Sequence, residues 1–87
     1  MLIKYSEKAV RQIHKISKGD KRGASAIMEA IEAYTRSPKG KFDVKLLRGN
    51  YGDLKGLRTG KYRVVFELID EEMLIYEIKH RQEAYHD

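Results

Sequence analysis

The sequence lacks cysteine and tryptophan, and it contains a single proline. Without cysteine the chain can form no disulfide, no cysteine-ligated zinc site and no thiol nucleophile. Its three histidines, His14, His80 and His86, do not have the spacing of metal ligands. We therefore expect neither a metal nor another cofactor.

Long apolar runs are also missing from the sequence. No segment approaches the roughly 18 consecutive apolar residues that cross a membrane. The N-terminal segment also lacks the apolar centre of a signal peptide. We therefore expect a cytoplasmic protein with no membrane partner.

Acidic residues are the minority among the charged ones. The 87 residues include 18 Lys and Arg against 13 Asp and Glu, which gives a formal net charge of +5. A small basic domain is typical of proteins that bind a polyanion, and charge alone does not choose between nucleic acid, an acidic protein and an anionic membrane surface. Apolar residues reach 41% and recur periodically, which predicts one folded domain over residues 1–87.

The first half of the chain has the periodicity of helices. Ser6 is a good N-cap for a helix over residues 7–18. Gly19 is typical of a helix C-cap and Asp20 of an N-cap, which predicts a second helix over residues 21–36. The second helix carries its apolar residues on one stripe: Ala24, Ile27, Met28, Ile31 and Tyr34. Such a stripe is predicted to pack in the core.

The second half has the character of β-structure. Residues 61–69 and 73–80 are rich in Val, Ile, Tyr and Phe, and residues 70–72 form the loop between these two predicted strands. Shorter β segments precede them among several glycines, and residues 2–5 form a further predicted strand. The resulting order is β-α-α-β-β-β. It predicts an α+β fold with two N-terminal helices packed on one face of a mainly antiparallel sheet.

Alternation along the two long strands sorts their side chains onto two faces. The apolar sets, expected to face the helices, are Tyr62, Val64, Phe66 and Leu68 on the first strand and Leu74, Tyr76 and Ile78 on the second. A three-residue loop would then place Ile69 opposite Met73 and Arg63 opposite Lys79. The other face would gather Arg63, Glu67, Glu77, Lys79 and Arg81. Such a face is either an anion-binding site or a solvated surface on which glutamates offset the basic residues.

Residues 39–63 concentrate the positive charge of the chain. They contain eight Lys and Arg against two Asp, a local excess of six positive charges. Basic side chains provide affinity for phosphate, and neighbouring tyrosines can stack on bases. Four basic residues of this stretch, Lys45, Arg48, Arg58 and Lys61, and Lys79 on the last predicted strand are predicted to contact RNA.

The residue types also limit the chemistry. The sequence has no phosphate-binding loop before a helix, no convincing Ser-His-Asp set and no acidic pair suited to two metal ions. Metal-free RNA cleavage remains, because RNA supplies its own 2′-hydroxyl nucleophile. The protein must then bind the phosphate, stabilise its charge and move two protons. A nucleic-acid-binding module without enzymatic activity also fits the charge.

Four segments taken together, residues 45–49, 54–59, 60–66 ("GKYRVVF") and 80–85 ("HRQEAY"), resemble the RelE/ParE superfamily of toxins from type II toxin–antitoxin systems. The resemblance implies a RelE-like fold and a metal-free endoribonuclease that inhibits translation by cleaving messenger RNA in the ribosomal A site. It also implies a cognate acidic antitoxin that neutralises the toxin in a hetero-oligomer. ParE-type members inhibit DNA gyrase without cleaving nucleic acid, which is the alternative function.

The resemblance also implies roles for individual residues. Arg63 matches the arginine that contacts the scissile phosphate in the family. Arg81 matches an arginine implicated in charge stabilisation or leaving-group assistance. Tyr85 matches a tyrosine that orients the substrate or stacks on it.

The general base is left open among Lys55, His80 and His86. Alternation places Lys55 on the opposite face from Arg63, unless a β-bulge at Gly56 turns it. His80 has the side chain most often used for proton transfer near neutral pH, although alternation places it on the core side. Many relatives carry a second basic residue where this sequence has Gly56, so the resemblance implies weak nuclease activity or the ParE-type alternative.

Overall fold

The computed structural model describes residues 1–47 and 53–81. In these ranges the chain forms two helices and a five-stranded sheet: β1 (Leu2–Tyr5), α1 (Glu7–Gly19), α2 (Lys21–Arg36), β2 (Val44–Leu46), β3 (Lys55–Thr59), β4 (Tyr62–Ile69) and β5 (Glu72–His80). The strand order is β1-β5-β4-β3-β2, with β1 parallel to β5 and the other neighbours antiparallel. The predicted α+β fold is confirmed, with the short β2 as one strand beyond the predicted order. The predictions for Arg48, Tyr85 and His86 lie outside the described residues.

Asp20 joins the two helices. Its carboxylate accepts a hydrogen bond from the backbone N–H of Gly23 at 2.9 Å, which confirms the predicted N-cap of α2. Its own backbone N–H donates to the Ile16 carbonyl at 2.6 Å, so Asp20 is also the C-cap of α1. The predicted C-cap, Gly19, is instead the last helical residue. Because one residue ends α1 and begins α2, the helices follow each other without a linker.

The start of α1 is fixed to β5 by side-chain hydrogen bonds. The Ser6 hydroxyl accepts from the Ala9 N–H at 3.0 Å, as predicted for an N-cap, and donates to the Tyr76 carbonyl at 2.6 Å. One helical turn further on, the Gln12 side chain accepts from the Ile78 N–H at 2.7 Å. These contacts give hydrogen-bond partners to the Tyr76 carbonyl and the Ile78 N–H on the edge of β5, beyond the end of β1.

The core lies between the two helices and one face of the sheet. It is formed by Ala9, Ile27, Ile31, Tyr34, Leu57, Tyr62, Val64, Phe66, Met73, Ile75 and Ile78. The Tyr34 ring makes edge-on contacts with Phe42 and Phe66, at centroid distances of 5.4 and 5.2 Å, a favoured aromatic geometry. We call the sheet face turned away from α1 and α2 the outer face.

The turn between β4 and β5 differs from the predicted three-residue loop. Ile69 pairs with Glu72, not with Met73, so the loop contains two residues, Asp70 and Glu71. Both have positive φ angles, 50° and 63°, as in the type I′ turns that match the twist of a hairpin. The prediction was wrong because Asp-Glu lacks the glycine or asparagine that usually marks this turn.

A β-bulge corrects the strand register further along the hairpin. Val65 pairs with Glu77 and Phe66 with Ile75, so Tyr76 is an extra residue on β5. Beyond the bulge Arg63 lies opposite Lys79, as predicted. The bulge compensates for the shorter loop, and the predicted pairing is therefore confirmed although its predicted cause is wrong.

The bulge also changes which β5 side chains face the helices. Met73 and Ile75 are buried in the core, whereas the predicted core residue Tyr76 is 36% exposed. Leu74, the other wrongly assigned residue, is half-buried. On β4 the prediction is confirmed, since its four apolar residues, Tyr62, Val64, Phe66 and Leu68, all pack in or against the core.

Candidate functional site

Three basic residues lie side by side across the outer face. Arg58 on β3 is paired with Arg63 on β4, and Arg63 is paired with Lys79 on β5. We call these three residues the cationic row. Like charges directly opposite each other on a sheet are destabilising. A row of three is therefore better suited to binding an anion than to holding the sheet together.

Further basic residues extend the row along both strand directions. Lys61 lies in the turn between β3 and β4, and the exposed Arg81 donates its backbone N–H to the Lys61 carbonyl at 2.5 Å. Both lie two residues from the Arg63–Lys79 pair. On the edge strand β2, the exposed Lys45 pairs with Gly56. The structure thus brings six predicted site residues to one region: Lys45, Arg58, Lys61, Arg63, Lys79 and Arg81.

The two glutamates of the outer face, Glu67 and Glu77, have partners outside the row. Glu67 accepts a 2.6 Å hydrogen bond from the Tyr76 hydroxyl, and Glu77 forms an ion pair with Lys8 of α1 at 3.2 Å. Arg58 has a distant partner in Asp43, 3.9 Å away, and both side chains are about half exposed. Within residues 1–47 and 53–81, no carboxylate lies within ion-pair distance of Arg63. Glu67 and Glu77, which could have offset the basic residues of the row, are therefore paired with Tyr76 and Lys8.

The Arg63 side chain lies across β3, directly above Gly56. A Cβ atom added at Gly56 would be 2.7 Å from Arg63 Cδ and 2.9 Å from Cγ. The resemblance predicted a basic side chain at this position. In this chain the same space holds the side chain of Arg63.

Lys55 and His80 lie on the other side of the sheet from Arg63. The pairing of β3 with β4 is regular, so the bulge that would turn Lys55 is absent, and Lys55 stays opposite the core residue Phe66. His80 contacts the Tyr62 ring edge-on at 5.5 Å and lines a cleft beside α1. The structure does not bring Lys55 or His80 to the cationic row, and their catalytic roles remain predictions.

Tyr62, next to Arg63, fixes the start of β4 to the helices. Its hydroxyl donates to Asp20 at 2.9 Å. The pKa of Asp20 is lowered, first by the Gly23 N–H and then by this hydroxyl, and the pKa of Tyr62 is raised by burial and by the same bond. A residue 42 positions away in sequence leaves no local signal, so pattern reasoning missed this contact.

The described residues also show neither a cluster typical of a metal centre nor a membrane-spanning helix. Among residues 1–47 and 53–81, no group of three or more His, Asp or Glu side chains is arranged to hold a metal ion. In the same ranges, no helix is both long and apolar enough to span a membrane.

The family model for the ParE toxin of type II toxin–antitoxin systems, parDE, matches residues 3–85. Among solved structures, the chain is similar to the archaeal RelE–RelB complex from Pyrococcus horikoshii, with 27% identity, a TM-score of 0.72, and coverage of 92% of this chain and 93% of that chain. It is also similar to the RelBE2 toxin–antitoxin complex from Mycobacterium tuberculosis, with 26% identity, a TM-score of 0.71 and coverage of 92% and 96%. The YoeB dimer from Staphylococcus aureus, at 20% identity, a TM-score of 0.78 and coverage of 92% and 95%, shares the fold. No protein with a curated description matches the sequence significantly.

Proposed function

The chain belongs to the ParE toxin family of type II toxin–antitoxin systems, and we propose that it is a metal-free endoribonuclease that cleaves messenger RNA in the ribosomal A site. The observation that carries this proposal is the cationic row of Arg58, Arg63 and Lys79. An arrangement that costs stability in the free protein is stabilised when a phosphate backbone binds to it.

In the proposed reaction the 2′-oxygen of the RNA attacks the adjacent phosphorus and the 5′-oxygen leaves, so that a cyclic phosphate forms. Negative charge grows on the phosphate oxygens during this step. Arg63 and Arg81 supply fixed positive charge there, and arginine remains protonated throughout. One proton must leave the 2′-hydroxyl and another must reach the 5′-oxygen.

Lys55 and His80 lie on the helix-covered side of the sheet. On the outer face, the described residues supply positive charge for phosphate binding and charge stabilisation. We propose a weakly active nuclease, because Gly56 stands where many nucleases of the superfamily carry a second basic residue.

We also propose that a cognate antitoxin with an acidic segment covers the outer face in a hetero-oligomer. Two of the similar structures, at 27% and 26% identity, are RelE–RelB and RelBE2 toxin–antitoxin complexes. The local excess of six positive charges over residues 39–63 is complementary to such a segment.

The second candidate function is ParE-type inhibition of DNA gyrase without cleavage. Two observations favour it. Gly56 lacks the basic side chain carried by many nucleases of the superfamily, and Lys55 and His80 lie away from Arg63. The two functions make opposite predictions in the same cells.

The test is to express the chain and map messenger RNA ends by primer extension, with DNA supercoiling measured in parallel. Cuts in phase with codons on translated messages support the nuclease, and we expect Arg81→Ala to abolish them without changing the thermal unfolding midpoint. Arg22→Ala, which removes an exposed arginine of α2, is the matched control and should cut normally. Intact messages with inhibited supercoiling would contradict the nuclease and support the gyrase inhibitor.

A further inference from the structure

Gly56 is buried as the second residue of β3, inside a strand where a glycine is costly. Glycine weakens a strand, because it has no side chain to pack and loses more conformational entropy on folding. The backbone does not require it. Gly60 in the adjacent turn has a φ of 59°, but Gly56 is not among the residues with positive φ. Gly56 also pairs in regular register with Lys45 and Val65.

The Arg63 side chain explains the glycine. A Cβ at position 56 would lie 2.7 Å from Arg63 Cδ, 2.9 Å from Cγ and 3.4 Å from Nε, and the first two distances are shorter than real Cβ contacts allow. The direct partner of Arg63 on β3 is Arg58, two residues from Gly56. Arg63 therefore leans diagonally over β3, with its aliphatic part resting on the glycine backbone.

This diagonal position also has an electrostatic reason. Side chains directly opposite each other on antiparallel strands have Cβ atoms only about 5 Å apart, so Arg58 and Arg63 would repel if both stood upright. By leaning over Gly56, Arg63 moves away from the direct cross-strand position. Alternation along the strand determines only which face Arg63 occupies. Gly56 leaves the space on that face in which the Arg63 side chain lies.

We propose that Gly56 is a positioning residue. Because it has no side chain, Arg63 can lie across β3, and this position sets where the outer face binds a phosphate of the RNA backbone. The RNA part of this inference rests on the proposed function; the Gly56–Arg63 contact does not. The inference has an unexpected consequence. Adding the basic residue that the family resemblance predicts, as in Gly56→Lys, displaces Arg63 and lowers RNA affinity instead of raising it.

The experiment is a double-mutant cycle of Gly56→Ala and Arg63→Ala. Binding of a single-stranded RNA protected by 2′-O-methyl groups is followed by fluorescence anisotropy over a range of salt concentrations. With Arg63 present, Gly56→Ala is expected to weaken binding by roughly tenfold, within the coupling measured for contacting residues. It should also lower the slope of log affinity against log salt by about 0.7, the loss of one phosphate contact on a single strand. In the Arg63→Ala background, Gly56→Ala should change neither quantity.

Gly19→Ala is the matched glycine control, because a Cβ there meets nothing within 4 Å. It should bind RNA as the unaltered protein does, and thermal unfolding checks that every variant is folded. Equal losses from Gly56→Ala with and without Arg63 would identify a structural role for Gly56 and overturn the proposal. The absence of any loss in either background would overturn it as well.

A nuclear Overhauser measurement separates this inference from the proposed function. Contacts between the Arg63 δ-protons and the Gly56 α-protons are expected in the unaltered protein and should be lost in Gly56→Lys. If the unaltered protein does not bind RNA, the proposed function fails, while these contacts still decide whether Gly56 positions Arg63. Their absence from the unaltered protein would overturn the inference even where RNA binds.

Discussion

The outer face of the sheet has two halves that differ in how their charged side chains are paired. In the half near the β4–β5 turn, Glu67 is hydrogen-bonded to Tyr76 and Glu77 is paired with Lys8. In the other half, the cationic row places Arg58, Arg63 and Lys79 directly opposite one another. We call the first region, Glu67, Tyr76 and Glu77 with Lys8, the paired half.

The difference shows that a basic composition alone does not produce the cationic row. Both glutamates lie on the same strands as the row, yet their partners are an α1 lysine and a tyrosine. The bulge at Tyr76 contributes to this division, because it puts Tyr76 and Glu77 on one face, where both line a shallow groove with Glu67. One half therefore holds its carboxylates in contacts with Tyr76 and Lys8, and the other concentrates basic side chains.

The largest effect is expected from Arg63→Ala in the cationic row. Loss of a charged hydrogen-bonding group from a phosphate contact costs about 1.5–3 kcal/mol, so RNA affinity should fall roughly 10- to 100-fold by fluorescence anisotropy. The free energy of unfolding, measured with urea, should stay the same or rise slightly, because a like-charge opposition is removed. A large loss of stability would contradict the division of the face into two halves.

The two helices and the α+β fold class were predictable from local signals. Ser6 and Asp20 are capping residues, and apolar residues at helical spacing define the buried stripe of α2. The details of the β4–β5 hairpin were not. Its register depends on a turn at Asp70 and Glu71 and on an extra residue at Tyr76, and neither has a distinctive sequence. The two errors compensate, so the prediction for Arg63 survived while those for Leu74 and Tyr76 did not.

The site was predictable to the extent that it follows from alternation along the strands. Arg63 and Lys79 fall on the outer face in any regular pairing that places Tyr62 and Ile78 in the core. The position of the Arg63 side chain over Gly56 was not predictable, because it depends on side-chain direction in three dimensions. A glycine inside a strand is nevertheless a signal of close approach, although the family resemblance marks Gly56 only as a missing charge.

A smaller effect is expected from Tyr76→Phe, which breaks the paired half. The lost hydrogen bond to Glu67 is partly exposed, so the free energy of unfolding should fall by about 0.5–1 kcal/mol with RNA affinity unchanged. The pKa of Tyr76 is raised by this hydrogen bond and then by burial. The stabilisation is therefore complete below the ordinary tyrosine pKa of about 10 and is lost as the pH rises through the higher folded value. The stability difference between Tyr76→Phe and the unaltered protein should accordingly shrink above about pH 10, and a difference that persists there would contradict the role of the phenol proton.

The smallest effect is expected from Asp43→Asn, which removes the carboxylate 3.9 Å from Arg58 and keeps the size of the side chain. Its backbone carbonyl, which accepts the Arg58 N–H at 2.9 Å, is unchanged, so the strand pairing should persist. Exposed ion pairs contribute about 0.2–1 kcal/mol, and their loss here leaves Arg58 more available to phosphate. We therefore expect RNA affinity to rise by about twofold at low salt, and the gain to disappear at high salt because exposed charges are screened. Glu7→Gln is the matched control, since Glu7 forms a 4.0 Å pair with Arg11 on α1. An equal gain from Glu7→Gln would mean that net charge, and not the cationic row, determines binding.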